Sequence, residues 1–157
     1  MSHIASRLLA EVVARLSVIA PVNFTALHSV SISDQPTILI EDIADETVDQ
    51  MEEFEGPINE THELRFSVFA LGTKTTPLAL IEEAGELRQS IELSLLGTDA
   101  GRRLSGLCRS GLTRSSAELR IDSESLQRPV GGWLMRFSCR YATNTGAPHN
   151  LPTCTVD

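Results

Sequence analysis

Apolar and polar positions along the chain repeat with two periods, one helical and one extended. Ile4, Leu8, Val12, Leu16 and Ile19 recur at helical spacing, widened by Leu9 and Val13, with Arg7, Glu11 and Arg15 on the polar side. The spacing predicts an amphipathic helix over Ser2–Ala20, with Ser2 as a cap and Pro21 ending the run. A second stripe, Leu80, Ala84, Leu87, Ile91 and Leu95, predicts a helix that starts at Pro77 behind a Thr76 N-cap. Glu82, Glu83 and Glu86 crowd its early turns, where carboxylates suit the helix dipole, and Gly97 reads as a C′ glycine. Gly85 inside it costs about 1 kcal/mol relative to alanine, so either close packing or drift put it there.

Strict alternation marks the strands. Phe24, Ala26, His28, Val30 and Ile32 predict one strand, and Thr37–Ile43 another after the Asp34–Pro36 turn. In His62–Leu71, Leu64, Phe66, Val68 and Ala70 share one face while Arg65, Ser67 and Phe69 share the other. Ser116–Glu124 and the cleaner run Trp133, Met135, Phe137, Cys139, Tyr141 predict a terminal hairpin showing Arg120, Arg136 and Arg140 on its charged face. Thr98–Ser115 has no clear period and suggests a short strand or turn around Leu104–Leu107. The expectation is an α+β fold: a mostly antiparallel sheet of about five strands packed against two main helices. One domain over residues 1–142 and a polar C-terminal tail over 143–157 complete it.

Charge changes this picture more than composition does. The apolar fraction of 41% is ordinary for a folded core, but the net charge of −8 argues against general binding to nucleic acid or anionic membranes. Glu41–Glu63 holds ten acidic residues and no Lys or Arg, so it cannot bury itself and reads as an exposed, mobile loop or a hairpin extension. Arg102–Arg140 holds eight Arg against Glu118, Asp122 and Glu124. These unlike regions either meet within one subunit or join neighbouring copies head to tail, which closes a ring when the rotation permits. Twelve of the thirteen basic residues are Arg, a choice that suits paired interfaces and that high-GC codon usage also produces.

Chemistry-bearing motifs are missing from the sequence. It has no nucleophile elbow, phosphate-binding glycine loop, zinc-helix motif, dinucleotide fingerprint or EF-hand spacing. Cys108, Cys139 and Cys154 make no metal-ligand pattern and read as reduced thiols. His28 reads as a packed or edge residue, and no other histidine stands at a spacing to join it. The charged N-terminal stretch reads as neither signal peptide nor membrane span. The expectation is no catalytic site, cofactor or metal.

The order helix, strand, strand, acidic segment, strand, proline-started helix and terminal hairpin resembles the tail terminator (tail completion) proteins of long-tailed bacteriophages. Ile4–Ile19, PTILIED at Pro36–Asp42, ELRFSVFAL at Glu63–Leu71, PLALIEEAGELRQSIELSLL at Pro77–Leu96 and WLMRFSCRYAT at Trp133–Thr143 carry it. The resemblance implies a structural virion protein at the head-proximal end of the tail, assembled in host cytoplasm. It would form a homohexameric ring that caps the tail tube, stops tube polymerisation and meets the head connector. The implied partners are further copies of itself, the tail tube protein, a head-completion or neck protein and, in a contractile tail, the sheath. DNA would pass through without specific binding, and no membrane is involved. On this view Asp45, Glu46, Asp49, Glu52, Glu53 and Glu55 face the lumen or the tube, because like charge repels the genome. Arg102, Arg103, Arg136 and Arg140 are then candidate subunit contacts. Another head–tail joining or neck protein, or the tail tube protein itself, is the alternative; a small-ligand binding module and a hydrolase stand further off.

Overall fold

A computed structural model describes residues 3–24, 35–51, 59–108, 110–122 and 130–144. In chain order these form α1 (Ile4–Leu16), β1 (Val22–Asn23), β2 (Thr37–Met51), β3 (Asn59–Leu71), α2 (Pro77–Leu96), α3 (Asp99–Arg102), β4 (Thr113–Asp122) and β5 (Val130–Asn144). The fold is α+β, a five-stranded mixed sheet in the order β1-β2-β3-β5-β4 with helices packed on it. Only β1 and β2 run parallel; the other pairs are antiparallel.

The helix-covered face follows from the alternation. Leu64, Phe66, Val68 and Ala70 of β3 meet Met135, Phe137, Cys139 and Tyr141 of β5 in one buried layer. Above it lie Ile4, Leu8, Val12 and Leu16 of α1 with Leu87, Ile91 and Leu95 of α2. Phe66 and Phe137 stack across the strand pair with ring centroids 5.7 Å apart. Full burial of such side chains supplies about 1.5–3 kcal/mol each, so this layer carries the fold. A smaller buried cluster, Leu39, Phe69, Leu71 and Leu134, lies on the opposite face.

Both long helices fall where their stripes predict, but their ends differ. His3, not Ser2, caps α1: its Nδ1 accepts from the Ala5 amide at 3.1 Å. Thr76 is the N-cap of α2, yet its side chain makes no cap hydrogen bond, and the N-terminal approach is held by Glu83 instead. That carboxylate accepts from the amides of Thr73 and Lys74 and from the Thr73 hydroxyl, tying the β3–α2 turn to the helix. Gly97 is not a left-handed stop. Its φ of −67° is right-handed, and the chain continues into α3, whose start Thr98 caps by accepting from Gly101 at 2.9 Å. Nor is Gly85 needed for close packing, since an added Cβ would meet only Trp133 Nε1, at 3.9 Å. Arg88 lies over the same indole, 4.2 Å from the ring centroid.

Within the patternless segment after α2, which holds α3 and the start of β4, the Leu104–Leu107 stretch is a turn rather than a strand. Leu104, Ser105 and Gly106 all take positive φ, and the resulting coil drives Leu104, Leu107, Cys108 and Leu112 into the core. The predicted Phe24–Ile32 strand, His28 included, lies outside the described residues beyond Phe24, which is exposed and outside β1. The largest extension is at the acidic segment. β2 runs through to Met51 and β3 begins at Asn59, so Glu41–Glu63 is mostly a hairpin extension rather than a free loop.

Candidate interaction surfaces

Past Ile40 the three strands β2, β3 and β5 run on as an acidic arm whose near end, at Leu64, Cys139 and Tyr141, still belongs to the helix-covered core. Its ladder runs from Ala44↔Arg65 to Met51↔Asn59 on one side and, without a break, from Arg65↔Ser138 to Asn59↔Asn144 on the other. Two bulges interrupt β2, between Glu41 and Ala44 and between Thr47 and Asp49, and Asp42 takes a positive φ of 53° at the first. Each bulge inserts one residue and re-aims the side chains that follow. The first one turns Asp45 onto the helix-covered face, opposite Leu64.

There Asp45 meets an aromatic and polar cluster. The Tyr141 hydroxyl, on a residue only 2% exposed, donates to the Asp45 carboxylate. Burial first, then the hydrogen bond and charge of Asp45, push the Tyr141 phenol well above its ordinary range. His62 stacks on Tyr141 at 5.1 Å with an 11° interplanar angle, and His3 meets the same ring edge-on at 6.3 Å. His62 Nε2 lies 3.1 Å from Glu60 Oε2 and 3.2 Å from Thr143 Oγ1, while Nδ1 is 3.8 Å from Asp45. The cluster therefore joins β2, β3, β5 and the start of α1. Asp45 and Tyr141 stand 96 positions apart in sequence, so no local pattern signals this contact.

The other predicted arm residues separate. Glu46 faces away from the helices and pairs with Arg65 at 2.6 Å. Asp49 stands in the β2 ladder opposite Thr61. Glu52, Glu53 and Glu55 lie outside the described residues.

The four predicted arginines occupy two places. Arg136 and Arg140 lie on the outer sheet face, 3.6 Å from Glu118 and 3.4 Å from Glu63. Arg65, 3.8 Å from Glu63 as well as paired with Glu46, makes the middle of this charged ladder. Acidic and basic regions thus meet partly within one subunit. Such exposed pairs contribute about 0–1 kcal/mol each, so they set the surface pattern more than the stability. An open cleft of about 460 Å³ runs between them, lined by Asp42, Glu63, Arg65, Ser67 and Arg136. Arg102 and Arg103 sit at α3 instead. Arg102 Nε donates to the Leu112 carbonyl at 3.2 Å, and Arg103 pairs with Asp99 at 3.4 Å.

A second open groove, about 560 Å³, lies between the last turns of α2 and the start of β4, against Leu93, Leu96, Arg102, Leu112 and Arg114. Glu92 at its wall accepts from Arg88 at 2.8 Å and from Arg114. Burial alone would raise the Glu92 carboxyl, but these two arginines outweigh it and hold it below its usual range.

Two thiols that sequence spacing left unrelated meet in the core. Cys108 and Cys139 are both buried and hydrogen-bond each other, which holds the Cys108 thiol down to about 7 against the opposing effect of burial. Among the described residues, no three His, Cys, Asp or Glu side chains are placed to hold a metal ion. No helix among them is long and apolar enough to cross a membrane. Compared with known proteins, the chain matches no family model and no curated relative.

Proposed function

We propose that this chain is a structural protein of a phage virion, a tail terminator that caps the tail tube as a ring and joins it to the head connector. The supporting observation is the acidic arm. Glu41–Glu63 carries ten carboxylates and no Lys or Arg, yet its described residues, 41–51 and 59–63, continue the central sheet beside β5 as a braced, three-stranded projection. A solvated linker would need no such bracing; a projection that meets a partner does.

In this reading the ring is a homohexamer. Glu46, Asp49, Glu52, Glu53 and Glu55 face the lumen or the tube ring, where negative charge keeps passing DNA from adhering. Asp45 serves the arm from within, through Tyr141. Arg136 and Arg140 on the outer face, and Arg102 and Arg103 at α3, contact neighbouring subunits. The protein performs no catalysis and requires no cofactor.

Deleting the gene from the phage that encodes it tests the reading by electron microscopy of the lysate. The expected result is filled heads lying apart from tail tubes of uncontrolled length. Tails of normal length joined to heads would overturn it, and loss of all tubes would point to the tube protein instead.

A further inference from the structure

The molecule presents two complementary surfaces that it cannot bring together itself. On the arm, the two β2 bulges leave Ile43 and Val48 exposed, at 44% and 39%, among Glu41, Asp42, Asp45 and Glu46. Apolar side chains set in an acidic field are the pattern of a contact core with a charged rim. In the groove beside β4, Leu93 is 66% exposed next to Leu96, with Arg102 and Arg114 set against the single carboxylate of Glu92 among its lining residues. This is the same pattern with the opposite sign.

We infer that the α2–β4 groove receives the acidic arm of a second copy of this chain, Ile43 and Val48 packing on Leu93 and Leu96 while Glu41 and Asp42 meet Arg102 and Arg114. The sheet order separates the two surfaces within one subunit. β3 and β5 stand between β2 and β4, about 14 Å of sheet at three strand spacings. The arm is also fixed in its ladder with β3 and braced through Asp45, Tyr141 and His62, so it does not fold back. A contact between unlike surfaces on neighbouring copies is head to tail, and such contacts generate rings when the rotation closes. The inference rests on the ring assembly proposed above and assigns its contact surface.

Cross-linking tests it in the full chain with Cys154→Ser as background, Cys108 and Cys139 being buried. Ile43→Cys and Leu93→Cys proteins are mixed and treated with a short bismaleimide. The expected product is a covalent dimer in the mixture and little in either variant alone. In sedimentation, Leu93→Asp weakens self-association by about tenfold or more. Leu78→Asp, at a 78% exposed site near the other end of the same helix, leaves it unchanged and controls for folding. Wild-type rings that persist in Leu93→Asp, with no mixed dimer, overturn the groove contact and leave the ring standing. A wild type that sediments as a monomer at its highest soluble concentration, with no mixed dimer, overturns both.

Discussion

The body of the sheet and its arm are built from the same three strands but held by different forces. In the body, the helix-covered side of β3 and β5 shows Phe66, Val68, Met135 and Phe137, all buried under α1 and α2. Two or three same-side pairs further along, past Leu64 and Cys139, the same side shows His62, Tyr141 and Thr143, with Asp45 swung in from β2. Apolar burial gives way there to a hydrogen-bonded cluster beside the start of α1. The body can thus tolerate charge on one face only. The arm can carry acid along β2 because its order comes from the ladder and a few specific polar contacts. Apolar burial favours any collapsed packing, whereas directional bonds to Asp45 and His62 specify one geometry for a projecting element.

Perturbing each region in turn should break this contrast in a graded way. The largest effect belongs to the body: Phe66→Ala removes a stacked ring from the buried layer and should lower global stability by about 3–5 kcal/mol in denaturant titration. Tyr141→Phe should act on the arm. It leaves the ring and its stack on His62 but removes the bond to the Asp45 carboxylate, a loss of about 1.5–3 kcal/mol. Hydrogen exchange should then quicken at the amides of β2 beyond the first bulge, with Val68 and Met135 unchanged. Equal loosening of body and arm would mean that Tyr141 is ordinary core.

Gly85→Ala should raise stability by about 1 kcal/mol, because the site is helical and an added methyl meets only the Trp133 edge. The smallest effect concerns pH. Glu92 is held below its ordinary range when folded, so its contribution is present above that range and fades as pH falls through the lowered value. Glu92→Gln should flatten the acid limb of stability by under about 1 kcal/mol, the scale of a part-exposed pair. An unchanged acid limb would remove the Arg88–Glu92–Arg114 contact from the account.

Much of the body was legible in the sequence. Pro77 and the Leu80–Leu95 stripe place α2, and the alternation of Leu64–Ala70 and Trp133–Tyr141 names the buried face of the two central strands. The acidic arm reads as either a loop or a hairpin extension, and the choice between them is blurred for a physical reason. Acidic residues are poor strand formers, and two bulges break the alternation at Asp42 and Val48, so β2 loses its period where it becomes most useful. Gly97 misled because glycine after a helix usually marks a left-handed stop, whereas here Thr98 restarts the helix at once. The Asp45–Tyr141 contact joins residues far apart in sequence through the sheet register, and the Cys108–Cys139 contact forms because the coil after α3 packs into the core against β5.

The central claim is that function resides on the acidic arm while the body holds it in place. Virion yield from a phage carrying Glu46→Lys and Asp49→Lys, together with Glu52→Lys, Glu53→Lys and Glu55→Lys, tests it most directly. The variant protein should melt close to wild type, because Glu46 is an exposed side chain whose pairing with Arg65 is a surface contact, yet infectious particles should be lost at tail completion or DNA passage. A normal yield from this phage would contradict the account.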